Sequence, residues 1–274
     1  MRLTPTQITS FQDFIWRYYA ENGRQFAWRN IDDPYAVLIS EVMLQQTQTS
    51  RVITKFELWM TEFPSFEALA NAPLRDVLTA WQGLGYNRRA LFLHKTAQAV
   101  MNDFGGNLPA DPQILVTLPG IGKNTAGSVC AFAFNQPTVF IETNIRSVYI
   151  HSFFKDKENV KDSEIEPLVA LTVDKNNPRE WYYALMDYGV ELKQRCVNPS
   201  RKSAHHVKQS KFEGSHRQIR GAILRLLTKH VHMSCPEIFS NIKRDPVEIE
   251  KALAQLTQEL FIHRDLNTDI VTLR

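Results

Sequence analysis

Apolar positions recur at spacings of three and four along almost the whole chain, the signature of helices that each bury one face. Ile8, Phe11, Phe14, Ile15 and Tyr18 fall on one stripe and predict a helix over about 6–21. Asp33 followed by Pro34 is a start signal, a capping carboxylate before a proline whose fixed φ suits the first helical position. The run PYAVLISEVMLQQ carries that helix to about Gln46. The same spacing predicts helices over 48–62, 65–71, 74–82, 88–103, 122–134, 143–153, 163–173 and 179–192, punctuated by Pro64, Pro73, Pro112, Pro119, Pro137 and Pro178. Beyond about 214 the pattern restarts, with helices over 217–229, 235–242 and 246–259. The end, FIHRDLNTDIVTLR, places two apolar-bearing runs around an Asp-Leu-Asn-Thr turn, a small hairpin. Three helices and a hairpin suggest a winged-helix module; a plain helical tail with a frayed end fits the same pattern. The fold class expected is all-α.

Composition changes this picture little. Of 274 residues, 43% are hydrophobic and 22% charged, which excludes wholesale disorder. No run approaches the ~18 apolar residues of a membrane span, and the first residues lack a secretory signal's apolar core. Cys130, Cys196 and Cys235 are too few and too scattered for a disulfide framework. A cytoplasmic protein is expected. Charge is more informative when split: the net +3 resides wholly beyond residue 204, and residues 193–229 hold ten Lys and Arg against one acid, Glu213. That run reads either as a footprint for a phosphate backbone, with Lys202, Lys208 and Lys211 as contacts, or as a solvated basic loop.

Two segments carry chemistry. In LPGIGKNTAG, Gly120 and Gly122 around Ile121 allow a tight turn, and Lys123, Asn124 and Thr125 open the next helix with unsatisfied amides that a phosphate can accept from. This is a helix-hairpin-helix pattern; PGIG alone would be an ordinary connection between helices. The second segment is Ser40-Glu41-Val42-Met43-Leu44-Gln45-Gln46-Thr47-Gln48. Glu41 follows Ala36, Val37, Leu38 and Ile39, and a carboxyl held by apolar walls keeps its proton near neutral pH, as a general acid must. Read without Gln45, Gln46 and Gln48, whose amides suit base edges, it would be a surface glutamate on an amphipathic helix.

AWRNIDDPYAVLISEVMLQQTQ, FPSFEALANAPLRDVLTAWQGLGYNRRA, LPGIGKNTAGSVCAFAF and ALMDYG together resemble the helix-hairpin-helix (HhH-GPD) DNA glycosylases of the endonuclease III superfamily, in particular the adenine glycosylase (MutY-like) branch, over about 26–189. The resemblance implies a two-lobed fold: a discontinuous lobe of 1–25 and 136–205, a six-helix barrel lobe of 26–135 holding the hairpin at 113–127, and the extra module at 212–274. It implies that Glu41 protonates the leaving base and that Glu142, where the family has aspartate, stabilises the oxocarbenium-like sugar with Asn144 in support. Glu142 sets its carboxylate one methylene farther from the backbone. Trp28, Arg29 and Asp187 match the base pocket, Tyr86 the residue that wedges into the stack, and Gln46, Thr47 and Leu84 positions near the orphaned base. Asn87 departs from the family's second tyrosine. Trp28 and Tyr86 have core packing as their alternative reading.

Bifunctional relatives carry a lysine nucleophile where this chain has Asn124. Lys123 is one helical step, about 100°, out of place. A monofunctional enzyme using water is therefore expected. Most relatives hold an iron–sulfur cluster on cysteines spaced C-x6-C-x2-C-x5-C; those positions here are Lys193, Ser200, Ser203 and Gln209, with Cys196 out of phase. No cofactor is expected beyond a monovalent cation that the family sometimes holds at the hairpin. The partner expected is double-stranded DNA with a lesion or mismatch, bound by a monomer at the bacterial nucleoid. The first substrate guess is adenine opposite guanine or 8-oxoguanine. A damaged or deaminated pyrimidine, or a non-catalytic DNA-binding protein, are the other readings.

Overall fold

The computed structural model describes residues 2–207 and 211–274. Its helices are α1 (Pro5–Asn22), α2 (Pro34–Leu44), α3 (Thr49–Glu62), α4 (Phe66–Asn71), α5 (Leu74–Ala80), α6 (Arg88–Phe104), α7 (Pro112–Leu115), α8 (Lys123–Phe134), α9 (Thr143–Phe153), α10 (Asp162–Thr172), α11 (Pro178–Arg195), α12 (His216–Lys229), α13 (Cys235–Asn241) and α14 (Pro246–Gln258). A 3-10 turn spans Pro199–Lys202, and three short strands are β1 (His232–Ser234), β2 (Ile262–Arg264) and β3 (Ile270–Leu273). Among the described residues no helix is long and apolar enough to cross a membrane.

Packing divides the chain into two compact units, Met1–Glu41 with Pro109–Lys208, and Val42–Leu108 with Gln209–Arg274. The division differs from the one expected: residues 26–41 and 109–135 belong with the first unit. The reason lies in α8, which is apolar on nearly every face and packs on α11, with Phe132 stacked on Tyr183 at 4.7 Å.

α11 is the spine of the first unit, packed by α1, α8 and α9. α1 starts with a reciprocal cap, Thr4 N donating to Gln7 Oε1 (2.9 Å) and Gln7 N to Thr4 Oγ1 (3.3 Å), and buries Phe11 and Ile15. Phe14 and Tyr18, on the same predicted stripe, instead meet Tyr188 edge-on at the surface. Gly189 of α11 sits where a Cβ would lie 2.5 Å from the Asn144 carbonyl oxygen and 2.7 Å from its Cβ. Only a residue without a side chain lets α9 approach this closely.

In the second unit α4 and α5 pack on α6, and Trp59 meets Trp81 edge-on at 5.5 Å. The C-terminal module belongs to this unit through α12 and α5. Arg75 donates to the carbonyls of Thr228 (3.5 Å), His230 (3.3 Å) and Val231 (3.3 Å), satisfying the end of α12, and Gln82 Nε2 donates to Thr228 Oγ1 (2.7 Å). The expected hairpin pairs Ile262 with Leu273, and β1, absent from the sequence-based reading, adds on the far side of β3 to give the order β1-β3-β2. Helix, strand, two helices and two strands is the winged-helix order.

Gly189→Ala inserts a methyl group into a closed contact. It is expected to lower stability by about 1–3 kcal/mol, read as a lower urea midpoint at unchanged m-value.

Candidate active site

The hairpin behaves as the spacing requires. Gly120 adopts φ 74°, a left-handed turn that strains any residue with a Cβ. Gly122 is the N-cap of α8 and makes no side-chain cap, and a Cβ there would meet open space; Lys123, Asn124 and Thr125 form the first turn that follows. Ile121 is buried in the core and braces the turn. Lys123 is exposed and pairs with Glu166 at 3.0 Å. Asn124 Oδ1 accepts from Ile141 N (3.2 Å), latching the hairpin helix to the segment that leads into Glu142.

Glu41 and Glu142 face each other's fields in the same unit. Glu41 leaves α2 between the buried Leu38, Ile39, Val42 and Met43. Burial pushes its pKa up to about 7; a hydrogen bond with Ser128 of α8 opposes this and the negative charge of Glu142 adds to it. Glu142 is the N-cap of α9. Its extra methylene folds back, so that Oε1 accepts from Asn144 N (2.7 Å) and Ile145 N (2.9 Å) while Oε2 accepts from Asn144 Nδ2 (3.2 Å). Three N–H donors thus converge on one carboxyl group, while the other, within reach of its charge, has its pKa raised to about 7. Asn144 Oδ1 in turn accepts from Lys193 Nζ (2.6 Å).

The residues expected in the base pocket form a closed cluster. Asp187 is 2% exposed and accepts two hydrogen bonds from Arg29 (2.8 and 2.7 Å) and two from Arg24, through the backbone N (2.8 Å) and Nε (2.7 Å). Both carboxylate oxygens are thus engaged, and the role that emerges for Asp187 is to hold Arg29. The Arg29 guanidinium lies 4.5 Å over the ring of Tyr183, and Trp28 stacks on Phe26 at 4.9 Å. Burial raises the Tyr183 hydroxyl far above the usual tyrosine range, with Glu41 adding to the rise and Arg29 opposing it. Tyr183 therefore links the acid to the arginine cluster.

The second unit carries the remaining expected contacts. Gln46 and Gln48 are exposed, Gln45 and Thr47 half-buried, and Gln46 takes a left-handed φ of 53°. Leu84 is buried. Tyr86 is exposed with φ 47°, a strain that a fold retains where the side chain must point outward. One residue organises both loops: Arg89 Nη1 donates to the carbonyls of Val42 (2.7 Å), Met43 (3.0 Å) and Gln45 (2.7 Å), and Nη2 to Thr47 Oγ1 (3.0 Å) and the carbonyls of Leu84 (3.1 Å) and Gly85 (3.0 Å). Arg217 of α12 donates to the Tyr86 hydroxyl (2.6 Å) and lies 5.2 Å over its ring.

Residues 39–170 match the HhH-GPD superfamily of base excision DNA repair proteins. Over 248 residues the chain is 30% identical to the adenine DNA glycosylase of Mycolicibacterium smegmatis, spanning 83% of this chain and 81% of that one. The chain belongs to the HhH-GPD superfamily. It is also 35% identical over 188 residues to the adenine DNA glycosylase of Buchnera aphidicola, spanning 67% of this chain and 53% of that relative, about half its length. Among solved structures it is similar to a thermostable thymine-DNA glycosylase, with a TM-score of 0.62 and 26% identity over 66% of this chain and 85% of that one.

The cluster-bearing members of the HhH-GPD superfamily need four thiolates after ALMDYG, and the donor set here does not fit one. Lys193 turns to Asn144, while Ser200 and Ser203 are buried in and beside the 3-10 turn; Gln209 lies outside the described residues. Cys196 Sγ is within hydrogen-bond distance of the Leu192 carbonyl (3.0 Å), and no group of three or more His, Cys, Asp or Glu suited to a metal occurs among the described residues. The basic run is also partly neutralised within the protein. Lys202 Nζ donates to the Lys155 carbonyl (2.6 Å) and pairs with Glu158 (3.3 Å), Arg195 pairs with Glu191, and Arg220 pairs with Glu259 (2.5 Å). Lys211 is exposed, and Lys208 lies outside the described residues.

Ser128, Tyr183, Arg89 and Arg217 were not singled out from the sequence. Ser128 follows Asn124 by one helical turn, a spacing that could have marked it. Tyr183 and Arg217 act across long stretches of sequence, and Arg89 joins its own neighbours Leu84 and Gly85 to a segment more than forty residues earlier.

A carboxyl whose pKa is raised on folding contributes stability at low pH that is lost as pH climbs through about 7. Glu41→Gln should accordingly match the wild type near pH 4 and exceed it at pH 8 by up to about 3 kcal/mol, checked by urea unfolding at the two pH values.

Proposed function

We propose that this chain is a monofunctional DNA glycosylase that hydrolyses the N-glycosidic bond of a base turned out of double-stranded DNA, with adenine opposite guanine or 8-oxoguanine as its substrate. The observation that carries the reading is the pair Glu41 and Glu142, one carboxyl with its pKa near neutrality and the other ringed by N–H donors. Glu41 delivers its proton to the departing base as the bond breaks toward an oxocarbenium-like sugar, and the Glu142 carboxylate stabilises the positive charge and takes the proton that water gives up as its oxygen bonds to the sugar carbon. The hairpin amides grip one strand through its phosphates, and Tyr86 fills the gap the extruded nucleotide leaves, offsetting an extrusion cost of a few kcal/mol. The enzyme acts as a cytoplasmic monomer and without an iron–sulfur cluster, in keeping with the donor set at 193–203.

Asn124 supports the use of water: it holds the place of the family's lysine nucleophile and is occupied as a latch. Lys123 is turned to Glu166. A second reading, excision of a damaged or deaminated pyrimidine, draws on Glu142 in place of aspartate and on the likeness to the thymine-DNA glycosylase structure.

Duplexes each carrying one lesion or mismatch, incubated with the protein and then treated with alkali, decide between the readings. Strand cleavage at adenine is the expected result; cleavage only at a pyrimidine favours the second reading, and none at all removes both. On the substrate that is cut, Glu41→Gln should lower excision by about 10²–10⁴-fold while DNA binding persists, and the wild-type rate should decline above about pH 7 as Glu41 loses its proton. Borohydride should trap no covalent adduct through Lys123; efficient trapping there would contradict the monofunctional mechanism.

A further inference from the structure

We propose that Lys193 is a positioning residue for this reaction, fixing the Glu142 carboxylate through Asn144 from the chain position where cluster-bearing relatives place their first thiolate. The inference rests on the glycosylase reading above and adds to it a residue outside the matched motifs.

The hydrogen-bond polarity allows one arrangement. An ammonium has donors only, so Lys193 Nζ must meet the amide oxygen of Asn144, which it does at 2.6 Å. An ionised carboxylate has acceptors only, so Glu142 must meet the amide nitrogen, at 3.2 Å. The Asn144 side chain is thereby oriented from both ends, and its backbone N adds a bond of 2.7 Å to the other carboxylate oxygen. Lysine, amide and carboxylate form a directed chain in which the positive charge polarises the amide toward the carboxylate.

Burial alone pushes the Lys193 ammonium below the usual lysine range, and the nearby negative charge of Glu142 pushes it back. Arg146, on α9, opposes Lys193, but its own charge is taken by Asp162 of α10 through two bonds of 2.7 Å. Glu41, the titratable group on α2 that interacts with Glu142, has its pKa raised by burial and by that carboxylate. A half-buried ammonium among these groups is retained because it serves the Glu142 carboxylate.

The neighbouring chain is built for the same purpose. Gly189 lies one turn before Lys193 on the same face of α11 and brings that helix against Asn144. After α11, Asn198 Oδ1 gathers Ser200 N (3.0 Å), Ser200 Oγ (2.8 Å) and Ser147 Oγ of α9 (3.4 Å). Val160 N donates to the Lys202 carbonyl (2.9 Å) and Ala204 N to the Val160 carbonyl (2.9 Å). The turn is closed by hydrogen bonds against α9 where a metal would otherwise close it, and Ser200 and Ser203 stand in that closure.

The test compares the full chain with Lys193→Met, Lys193→Arg, Asn144→Ala and the Lys193→Met/Asn144→Ala pair in single-turnover excision of whichever duplex the wild type cuts. Lys193→Met should lower the rate about 10- to 100-fold. DNA affinity and its salt slope should be unchanged, because this charge faces a carboxylate and no phosphate. Lys193→Arg should be faster than Lys193→Met, and the double variant no slower than the slower single one. By NMR, the Asn144 side-chain amide protons should exchange slowly with solvent in the wild type and rapidly in Lys193→Met. A wild-type rate in Lys193→Met, additive losses in the double variant, a weakened salt slope or unaltered amide exchange would each overturn the proposal. Should Lys193→Met fail to fold, Lys193→Gln takes its place with the same expectations. If the wild type cuts no duplex the glycosylase reading fails, and the amide exchange still decides whether Lys193 orders Asn144.

Discussion

Everything proposed for this protein depends on the first turn of α9. Helices begin with amides that have no partner within the helix, and here those of Asn144 and Ile145 close on the side chain of the residue before them, Glu142. One set of hydrogen bonds therefore both starts a structural helix and fixes the carboxylate assigned to the sugar. Glutamate is longer than a cap needs, and its spare methylene is absorbed by folding back. The close approach of α11 at Gly189 then locks the turn from behind. Structure and chemistry share the same bonds at this point, so neither can be altered alone.

Around that turn the fold maintains an asymmetry between two like groups. Glu41 is reached by one hydroxyl and apolar walls, whereas Glu142 is reached by three N–H donors, and each carboxyl lies in the other's field. The negative charge of Glu142 adds to the burial that raises the Glu41 pKa, so the environment of one carboxyl acts on the proton of the other. Stability is the quantity sacrificed, as expected where a buried carboxyl must keep a proton that water would readily take.

Periodicity was enough to place the long helices, because each buries one stripe; α8, α9 and α11 lie within a few residues of their expected bounds. What it missed were elements too short for a period to develop: the four residues of α7, the 3-10 turn Pro199–Lys202, and β1, which is a strand only because β3 lies beside it. The hydrophobicity of α8 likewise records that it is buried and not against what, which its packing on α11 supplies. At the site, motif matching singled out Glu41, Glu142 and Asn144, and the structure adds how Glu142 and Asn144 are oriented by their hydrogen bonds. Ile121 and Leu84 turned out to be core, and Asp187 is saturated by two arginines. Lys193 was visible only as a missing cysteine and as one charge of the basic run, because its meaning depends on a residue 49 positions away.

Arg89 binds the ends of two loops with a single guanidinium, and every acceptor it uses is an oxygen of the Val42–Thr47 or Leu84–Gly85 segment. Thr47 Oγ1 also donates to the Leu84 carbonyl (3.4 Å) and Trp81 Nε1 to the Gly85 carbonyl (3.0 Å), so the two segments are tied to each other as well as to the cation. A shift imposed on Gln46 by whatever it touches is delivered to Tyr86 without crossing the core. Displacement of one segment therefore carries the other with it, because the same side chain holds both.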